Sequence, residues 1–525
     1  MDNSNTFSVV HNGIIENYQE LRTLLEANGY IFKSTTDTET IPNLIHFYYT
    51  QDINKDEKSF LRAVSKACKD LKGSYAIEVL CKAYPDVLVI ARKDSPLVIG
   101  VGDNENYIAS DIPAILSYTK RFYLLDDGDI VEVYKDKINF YDINLEKLNK
   151  EIQNIEWDAT SSEKDGYPDY MLKEIYEQPR SIRETIGARL KANGEINFSD
   201  INFDKEYLKT VNKIYLVACG TAMYAGSAIK PLLERLCRIP VTVDIASEFR
   251  YHKPLIDDKT LCIYISQSGE TADTIAALKL SKTLGAKTIA ISNVIGSSIT
   301  READYTLYTH AGPEIAVAST KAYTSQVTLL ALLALHFAEI LNVSDKKLIE
   351  NIKSEILLLP GKIQNILDDV TSIQNFAKKV YKEKDIFFLG RGNDYTVTME
   401  ASLKLKEISY IHSEAYAAGE LKHGPIALIE NGITVVGIIT DPDLVGKSVS
   451  NIQEVITRGA KTLIITNQDL KQANYDEVIN IPKTHPLISP ILSIIPLQLF
   501  AYYISKEKGL DVDKPRNLAK SVTVE

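Results

Sequence analysis

Residues 260–271, TLCIYISQSGET, join a run of apolar side chains directly to a turn that is rich in hydroxyl groups and contains one glycine. The segment that follows, residues 272–284, is rich in alanine and leucine. A short, continuous apolar run bounded by turn residues is typical of a strand that is buried on both faces. The stretch therefore predicts a buried strand, a tight turn and a helix in direct succession.

The turn has the composition of a seat for a phosphate group. Ser266, Ser268 and Thr271 carry hydroxyl donors, and Gly269 allows backbone N–H groups to approach an anion. The following helix points the positive end of its dipole at the same place. The alternative is an ordinary strand-to-helix turn with a serine N-cap, because many such turns contain hydroxyl groups and a glycine.

The same strand–turn–helix unit occurs twice in the chain. The first copy, residues 260–293, ends in GAKTIAISN, and the second, residues 434–467, ends in GAKTLIITN. Upstream of each copy, another apolar run ends in glycine, at residues 214–221 and 386–392. Apolar strands that alternate with helices predict an α/β fold with parallel sheets covered on both faces. A repeat of this length indicates a duplicated domain.

The two copies differ at the turn. The first copy has SQSGET after its strand, whereas the second has Thr440, Asp441, Pro442 and Asp443. Acidic side chains repel a phosphate dianion. We therefore expect the first copy to hold the anion and the second to supply different chemistry.

Several longer segments resemble one enzyme family. They are VVHNGIIEN at 9–17, EIYEQP at 174–179, ASEFRY at 246–251, LKLKEISYIH at 403–412, EAYAAGELKHGP at 414–425, DVD at 511–513 and PRNLAKSVTVE at 515–525. On these residues the chain resembles the glucosamine-6-phosphate synthases, the isomerising glutamine–fructose-6-phosphate aminotransferases. The resemblance extends from about Ser8 to the last residue.

The resemblance implies the fold and its domain boundaries. It predicts two tandem SIS-type domains, each a parallel-sheet sandwich, preceded by a truncated Ntn-type α+β glutaminase domain with antiparallel sheets. The expected ranges are a partial type-2 glutamine amidotransferase domain at 1–150, a linker at 151–204, SIS domains at 205–345 and 375–515, and a catalytic tail at 516–525. Within the first domain, residues 126–129 (DDGD) predict a hairpin turn.

The glutaminase chemistry of this family depends on an N-terminal cysteine nucleophile, whereas here Met1 is followed by Asp2. The resemblance assigns Asn12 and Gly13 to the pair that stabilises the oxyanion, and Asp37 to the group that binds the amino end of glutamine. None of the cysteines lies at the terminus; they are Cys68, Cys81, Cys219, Cys237 and Cys262. Two explanations compete: an incomplete gene or gene model, which we favour, and a protein that has lost glutaminase activity.

The resemblance also implies the residues of the sugar chemistry. Lys520 matches the lysine that forms a Schiff base with the ketone, Glu407 the base that moves the proton, and His423 the histidine that opens the sugar ring. Lys404 is expected to support this site electrostatically. The residues implied for the sugar-phosphate pocket are Thr221, Ser266, Gln267, Ser268, Thr271, Val317 and Ser319. Ala222 replaces a serine that some members have.

Taken alone, the three catalytic candidates have ordinary structural interpretations. Glu407 lies among lysines in a helical pattern, as a solvated carboxylate does, and a lone histidine such as His423 is more often structural. Lys520 lies close to the C-terminus, where an amine is normally solvated. For Lys520 to act as a nucleophile, the tail must fold back into the pocket, because desolvation lowers the pKa of an amine.

Composition excludes several other classes of function. The net charge of −11 leaves no positive surplus to neutralise the phosphates of nucleic acid. Residues 1–10 have neither the basic nor the apolar region of a signal peptide. The five cysteines form no CxxC pattern. Two uncharged stretches, 322–338 and 486–505, approach membrane-spanning length, but their prolines and polar residues favour buried core helices. We expect a cytoplasmic enzyme that needs no membrane, metal or cofactor.

These features predict conversion of fructose 6-phosphate to glucosamine 6-phosphate with glutamine as nitrogen donor, the first step of hexosamine and UDP-N-acetylglucosamine synthesis. The expected partners are fructose 6-phosphate, glutamine or ammonia, and a second copy in a homodimer. Without the cysteine, the polypeptide is expected to retain only sugar-phosphate isomerase or ammonia-dependent activity. The alternative is a non-catalytic sugar-phosphate sensor, against which Glu407, His423 and Lys520 together argue.

Overall fold

The computed structural model describes residues 1–110, 112, 114–154, 164–201, 203–470 and 474–523. Contacts divide the chain into two compact units. Unit 1 consists of Met1–Glu163, Glu270–Ala272 and Ser521–Glu525, and unit 2 of Lys164–Gly269 and Asp273–Lys520.

Unit 1 contains ten strands and three α-helices among its described residues. The strands are β1 (Phe7–Ile15), β2 (Gly73–Cys81), β3 (Tyr84–Lys93), β4 (Val98–Val101), β5 (Asn106–Ala109), β6 (Arg121–Leu124), β7 (Ile130–Val133), β8 (Ile138–Tyr141), β9 (Lys147–Leu148) and β10 (Gln153–Asn154). The helices are α1 (Tyr18–Ala27), α2 (Thr40–Thr50) and α3 (Ser59–Asp70), with a 3-10 turn at Asp37–Glu39.

The strands of unit 1 form two antiparallel sheets, in the orders β1-β2-β3-β7-β8-β9 and β10-β6-β4-β5. One hydrophobic cluster consists of side chains from the first sheet and the three helices. A second cluster contains side chains from both sheets. The antiparallel α+β architecture expected from the sequence is therefore present.

The predicted hairpin at residues 126–129 is wrong. The turn exists, with the Asp129 N–H donating to the Asp126 carbonyl at 3.1 Å. However, β6 before it pairs with β4 and β10, whereas β7 after it pairs with β3 and β8 in the other sheet. Turn residues specify where the chain reverses, but not which strand the next segment pairs with.

Unit 2 contains two five-stranded sheets in which every pairing is parallel. The first has the order β12-β11-β13-β14-β15, from β11 (Lys213–Ala218), β12 (Val241–Ile245), β13 (Thr260–Ile265), β14 (Lys287–Ser292) and β15 (Tyr305–Tyr308). The second has the order β17-β16-β18-β19-β20, from β16 (Asp385–Gly390), β17 (His412–Ala417), β18 (Thr434–Ile439), β19 (Lys461–Thr466) and β20 (Glu477–Asn480). The duplicated sequence thus folds into two copies of one topology.

Strand β13, the centre of the opening stretch, is buried at every residue. Its alternate side chains serve two different cores: Leu261, Ile263 and Ile265 join the largest cluster, and Cys262 and Tyr264 join the cluster on the opposite face. A strand covered on both faces needs apolar residues at every position, which explains the unbroken apolar run.

Thirteen α-helices surround these sheets in the described part of unit 2. They are α4 (Tyr170–Tyr176), α5 (Gln178–Gly187), α6 (Lys205–Thr210), α7 (Gly220–Cys237), α8 (Ala246–Phe249), α9 (Ala272–Thr283), α10 (Ser298–Glu302), α11 (Lys321–Leu341), α12 (Lys346–Leu367), α13 (Thr371–Val380), α14 (Asn393–Ser409), α15 (Val445–Ile456) and α16 (Pro490–Glu507). Shorter 3-10 turns lie at Ser199–Ile201, Glu420–His423, Pro425–Leu428 and Pro486–Ile488.

The two sheets of unit 2 share one core. Helix α7, which follows the first strand of the first sheet, packs against α11 and also against α14, which follows the first strand of the second sheet. Helix α14 packs in turn against α16. The largest cluster contains residues of all four helices and of both sheets. The carboxyl ends of the strands and the first turns of α7 and α14 are therefore fixed relative to one another.

Helix α11 is long and apolar enough to cross a membrane by length and composition alone, and 78% of its most apolar window is buried in the structure. Helix α16 is likewise buried along nearly its whole length. Both helices are core elements of unit 2, as expected from the polar residues and prolines within the two apolar stretches.

Part of the segment expected to be a linker is structured. Residues 170–187 form α4 and α5, and Met171, Ile175, Ile182 and Ile186 belong to the largest core. The amphipathic spacing of these apolar residues accounts for the difference, because a helix with an apolar face is stabilised by packing rather than left as a connector. Residues 155–163, near the start of the expected linker, lie outside the described residues.

Candidate active site

The site begins where the strand order of the first sheet changes direction. β11 and β13 are neighbours, and their chains continue to opposite sides of the sheet, so a crevice opens beyond their carboxyl ends. Thr221 follows β11 in the first turn of α7, and Ser266 follows β13. Two of the predicted pocket residues are thus brought together by the topology.

The turn after β13 is tightly built. The Gly269 N–H donates to Ser266 Oγ at 3.0 Å, and the Ile299 N–H donates to the Gly269 carbonyl at 3.0 Å. Gly269 has φ +69°, and a Cβ at this position would lie 2.0 Å from Ser297 Oγ. Only glycine fits here, since any side chain would collide and be strained.

The predicted phosphate ligands in this turn differ in how far they are buried. Ser266 is buried and its hydroxyl accepts the Gly269 N–H, while Gln267 and Ser268 are half-buried. Thr271 is also half-buried, and its contacts group it with unit 1. Gln267 and Ser268 are therefore the more accessible donors of this turn within unit 2.

In the second sheet a buried carboxylate lies against the turn that follows β18, the counterpart of the turn after β13. Asp394, in the first turn of α14, is 2% exposed. Its Oδ2 accepts the N–H of Thr440 at 2.8 Å, and its Oδ1 accepts the Thr440 hydroxyl. Burial raises the pKa of Asp394 to about 6, although the bonds from Thr440 oppose this shift. The protein thus fills the donor groups of Thr440 at the end of β18 with its own side chain. That this copy holds no phosphate stays a prediction.

Helix α14 carries a row of three charged residues that contacts Thr221. Glu400, Lys404 and Glu407 have i, i+4, i+7 spacing and lie on one face of the helix. Lys404 Nζ donates to Glu407 Oε2 at 2.5 Å and to Thr221 Oγ1 at 2.9 Å. It lies 3.5 Å from Glu400 Oε1, which accepts the Thr221 hydroxyl at 3.2 Å. Thr221 therefore joins the first SIS-like copy to the charged row of the second.

The surroundings shift the pKa values of Glu400 and Lys404 in this row. Burial disfavours the ammonium of Lys404, but the carboxylates of Glu400 and Glu407 outweigh burial and raise the pKa of Lys404. Burial, with a smaller contribution from Glu407, raises the pKa of Glu400 to about 8, although Lys404 acts in the opposite direction. Oε2 of Glu400 is buried and has no hydrogen-bond partner among the residues that the structure describes. Near pH 7, Glu400 is thus a neutral acid beside the Lys404–Glu407 ion pair.

The C-terminal segment folds back onto unit 2 and carries Lys520 to a second carboxylate. Lys520 Nζ donates to Glu314 Oε2 at 2.6 Å and to the Ala316 carbonyl at 2.8 Å. The side chain of Lys520 is 22% exposed, and that of Glu314 is fully buried. Earlier in the segment, the Arg516 guanidinium lies 4.2 Å from the ring centroid of Tyr410. The folding back that Lys520 requires is therefore present.

The loop between β15 and α11 links this tail to the sugar-pocket candidates. Val317 N–H donates to the Asp513 carbonyl at 3.0 Å, and Ser319 is half-buried two residues later. Asp513 in turn accepts the N–H groups of Tyr170 and Met171 at the start of α4. The negative charge of Glu314 also raises the pKa of Lys404. The charge of Glu314 thus acts on both Lys520, which it contacts, and Lys404.

His423 is separate from this cluster. It lies in the 3-10 turn Glu420–His423 and is exposed. Among the described residues, no hydrogen bond or ion pair joins His423 to Lys404, Glu407 or Lys520. Of the four predicted catalytic side chains, Lys404 and Glu407 contact each other, Lys520 contacts Glu314, and His423 stands apart from both pairs.

The glutaminase candidates lie in unit 1. Asp37 Oδ2 accepts the Ile15 N–H at 2.8 Å, Asn12 is exposed near Ser110, and Gly13 has φ +147°. Cys68 and Cys81, the cysteines of this unit, are both buried. Burial raises the pKa of Cys68 to about 12 and that of Cys81 above its usual value. Neither thiol has the low pKa of a catalytic nucleophile.

Comparison with known proteins identifies the family. A model of the SIS domain matches residues 207–336 and 379–505, and a model of the glutamine amidotransferase domain matches residues 1–117. The chain is 54% identical to "Glutamine--fructose-6-phosphate aminotransferase [isomerizing]" of Clostridium perfringens, over 100% of this chain and 86% of the relative. The chain belongs to the isomerising glutamine–fructose-6-phosphate aminotransferase family.

Other members and solved structures agree with this assignment. The aminotransferase of the same name from Clostridium acetobutylicum is 53% identical over 99% of this chain and 85% of its own length. The C-terminal domain of glucosamine-fructose-6-phosphate aminotransferase from Francisella tularensis has a TM-score of 0.65 at 39% identity, covering 67% of this chain and 100% of that one. Glucosamine-6-phosphate deaminase from Thermotoga maritima, with a TM-score of 0.53 at 23% identity over 67% of this chain and 99% of that one, shares the fold.

The family assignment confirms the resemblance found in the sequence and the expected fold of two SIS domains behind a glutamine amidotransferase domain. One detail is wrong. The match to the amidotransferase model begins at residue 1 rather than near Ser8, so the first residues also belong to the family pattern. The domain boundaries and the roles of the site residues remain predictions.

The structure also reveals three buried carboxyl groups that the sequence analysis did not select: Glu400, Glu314 and Glu174. Glu400 had a signal, because it lies four residues before Lys404 and seven before Glu407 in a helical pattern. Glu174 begins the EIYEQP segment, which was noted without a role. Glu314 precedes the Val317–Ser319 segment but had no distinguishing pattern.

We predict that Glu400→Gln makes the stability of the protein less sensitive to pH. The carboxyl of Glu400 has a pKa raised to about 8 in the folded chain, so between its ordinary range and pH 8 only the unfolded chain releases this proton. Stability therefore falls as pH rises through this window. Glutamine releases no proton in either state and removes this contribution. Thermal unfolding midpoints at pH 5, 6, 7 and 8 test the effect.

The matched control is Glu430→Gln, because Glu430 is exposed. This variant should show the same pH dependence as the unmodified chain. If Glu400→Gln also retains the full fall in midpoint from pH 5 to pH 8, Glu400 is ionised in the folded protein and its neutral state is refuted.

Proposed function

We propose that this chain converts fructose 6-phosphate to glucosamine 6-phosphate, the activity carried in the names of its relatives. The observation that supports the proposal is that Glu314 binds Lys520 and that its charge also acts on Lys404, which pairs with Glu407 and contacts Thr221. An amine that attacks the ketone and a carboxylate that moves a proton between C1 and C2 are the two groups this reaction needs.

We assign the roles as follows. Lys520 forms the Schiff base with C2 of the ketose, and Glu407 carries the proton between the two carbons. Lys404 holds Glu407 in place through its 2.5 Å ion pair. Thr221, Val317 and Ser319 line the sugar, and the turn from Ser266 to Ser268 binds the phosphate, with Thr271 as a further predicted donor.

Nitrogen reaches the sugar as ammonia in this proposal, with glutamine as the donor in the complete family reaction. In a polypeptide of these 525 residues, the two cysteines of unit 1 are buried and have raised pKa values, so neither supplies a thiolate. We therefore expect this polypeptide to use ammonium and to release no glutamate from glutamine. Asn12, Gly13 and Asp37 would act only with a nucleophile. The proposed setting is the cytoplasm.

The test of the function uses fructose 6-phosphate with ammonium as the nitrogen source. Glucosamine 6-phosphate should form, and borohydride should trap a covalent adduct on the peptide that contains Lys520. Lys520→Arg should abolish the adduct and lower turnover by at least about a hundredfold, because a guanidinium stays protonated and is a poor nucleophile. Product is measured by mass spectrometry and the adduct by peptide mapping.

Lys514→Arg is the matched control, since Lys514 is an exposed lysine of the same C-terminal segment. It should leave both product and adduct unchanged. Near-normal turnover by Lys520→Arg would overturn the Schiff-base role and leave Glu407 and Lys404 as the reactive groups. Glutamate released from glutamine by the same preparation would refute the ammonia-only expectation.

The phosphate assignment makes a separate prediction. Ser268→Ala removes a charge-assisted hydrogen bond of about 1.5–3 kcal/mol, so the affinity for fructose 6-phosphate should fall by about tenfold or more. Ser354→Ala, at an exposed position of α12, serves as the control and should bind normally. Titration calorimetry measures both. An unchanged dissociation constant for Ser268→Ala would mean that the phosphate binds elsewhere.

We also propose that the protein is a homodimer, in which His423 opens the sugar ring. The supporting observation is the exposure of His423 in the single chain, because a ring-opening acid has to reach the substrate. A partner could supply it. Light scattering should then give twice the chain mass. Mixing the inactive variants His423→Ala and Lys520→Arg should restore about a quarter of the activity, as expected when each mixed dimer keeps one intact site. No recovery would place His423 in its own subunit's site or outside catalysis.

A further inference from the structure

The EIYEQP segment, residues 174–179, has a definite position in unit 2. It spans the junction of α4 and α5, and Glu174 and Gln178 are buried. Oε1 of Glu174 accepts the N–H of Ile315 at 2.5 Å and that of Ala316 at 3.2 Å. Glu177 forms an ion pair with Lys321 at 2.6 Å. The segment therefore holds the loop that begins at Glu314 and ends at α11.

Glu314 lies between this loop and the tail. Oε1 of Glu314 accepts the N–H groups of Thr320 and Ala322 at 2.8 and 3.1 Å, at the N-terminus of α11, and Oε2 accepts the Lys520 ammonium. Backbone donors at a helix N-terminus favour an anion. Burial opposes ionisation of Glu314, but the charge of Lys520 and these bonds outweigh burial and lower the pKa of Glu314.

Glu174 is the neutral member of a carboxyl pair. Burial, reinforced by the charge of Glu314, raises the pKa of Glu174 to about 8, although Lys520 and Lys321 act in the opposite direction. Oε2 of Glu174 is buried, and within the described part of the chain it has no hydrogen-bond partner. The negative charge of one buried carboxylate disfavours ionisation of a second carboxyl group near it. Burial and the charge of Glu314 therefore favour the protonated form of Glu174, whereas the contacts of Glu314 favour its ionised form, which can accept a proton.

We propose that Glu314 is the base that releases the Lys520 amine for attack on the sugar ketone, and that Glu174 is a positioning residue that holds the Glu314 loop. This proposal rests on the Schiff-base role of Lys520 given above. It assigns functions to two residues that the sequence had left without any.

Formation of the Schiff base then takes three steps: proton transfer, addition to C2 and loss of water. The Lys520 ammonium gives one proton to the Glu314 carboxylate, which leaves a neutral amine and a neutral acid. The amine nitrogen forms a bond to C2 of the ketone, and its proton passes to the carbonyl oxygen, giving a carbinolamine. Glu314 returns its proton to the C2 hydroxyl, the C–O bond breaks, and water leaves. The product is the protonated imine of Lys520, with Glu314 again ionised.

The experiment measures the rate at which borohydride-trapped adduct appears on the Lys520 peptide after mixing with fructose 6-phosphate. Glu314→Gln keeps the size of the side chain but cannot accept the proton, so the rate should fall by about 10²- to 10⁴-fold at pH 7. It should then rise with pH as solvent deprotonates the amine. Added formate, a small carboxylate, should restore part of the rate.

The results distinguish failure of the proposed function from failure of the role given to Glu314. If the unmodified chain forms no adduct, the proposed function fails. If the unmodified chain and Glu314→Gln form adduct at rates within about threefold, with the same pH profile, only the role of Glu314 fails. Glu314→Asp, which keeps a carboxylate, guards against misfolding of the glutamine variant. It should retain more rate than Glu314→Gln and gain nothing from formate, whereas formate rescue of both variants, or of neither, would overturn the proposal.

The role of Glu174 is tested by the pH profile of the same rate. Glu174 faces Glu314 on the loop, Lys520 on the tail and Lys321 on α11. Its ionisation should produce a step near pH 8 in the unmodified chain, and Glu174→Gln should remove the step. Glu184→Gln, an exposed change on α5, should retain it. Persistence of the step in Glu174→Gln would overturn the pairing of Glu174 with Glu314.

Discussion

The buried ammonium of Lys404 sets the strictest requirement on this structure. A charge removed from water must be matched by an opposite charge, and loss of one partner of a buried pair costs about 3–5 kcal/mol. Glu407 supplies that match at 2.5 Å, and Thr221 supplies a hydroxyl oxygen at 2.9 Å. Glu407 belongs to the same helix, whereas Thr221 comes from the other copy of the fold. The two copies therefore have to be packed together before the site exists.

The packing of α7 against α14 satisfies this requirement. Both helices follow the first strand of their sheets, and Thr221 in the first turn of α7 contacts Glu400 and Lys404 further along α14. The turns at the strand ends of the two copies differ. In the first copy, the turn after β13 leaves Gln267 and Ser268 half-exposed, and in the second, Asp394 occupies the donors of Thr440. The two copies of the fold thus differ in what lies at the ends of their equivalent strands.

The C-terminal tail adds a second lysine, Lys520, whose charge is also matched by a buried carboxylate. Lys520 is held by Glu314, and Glu314 is held by the first turn of α11 and by the loop that Glu174 grips. Asp513 fixes the path of the tail by bonding the start of α4 and the Val317 N–H. Residues separated by hundreds of positions in the chain are therefore joined by short, charge-assisted bonds. Each of them depends on the others for its countercharge or its position.

Much of this architecture was predictable from local patterns. The unbroken apolar run of β13 can be stable only as a strand covered on both faces, and its repetition near residue 434 required a second sheet of the same kind. The seat after β13 followed from its hydroxyls and glycine. The hairpin at residues 126–129 was predicted wrongly, because a turn pattern specifies a reversal and leaves strand pairing open. The helices α4 and α5 were missed because a connector and a packed helix differ only in the surface available to bury them.

The sequence by itself determined the α/β class, the duplication, the family and the residue types available for catalysis, because strand burial and turn chemistry act over a few neighbouring residues. Only the tertiary structure decided which carboxyl groups are neutral and which are ionised. Glu400 and Glu174 have pKa values raised to about 8, whereas Glu314 has its pKa lowered. These differences arise from burial, from lysines far away in the chain and from helix N-termini, and none of them is visible until the chain has folded.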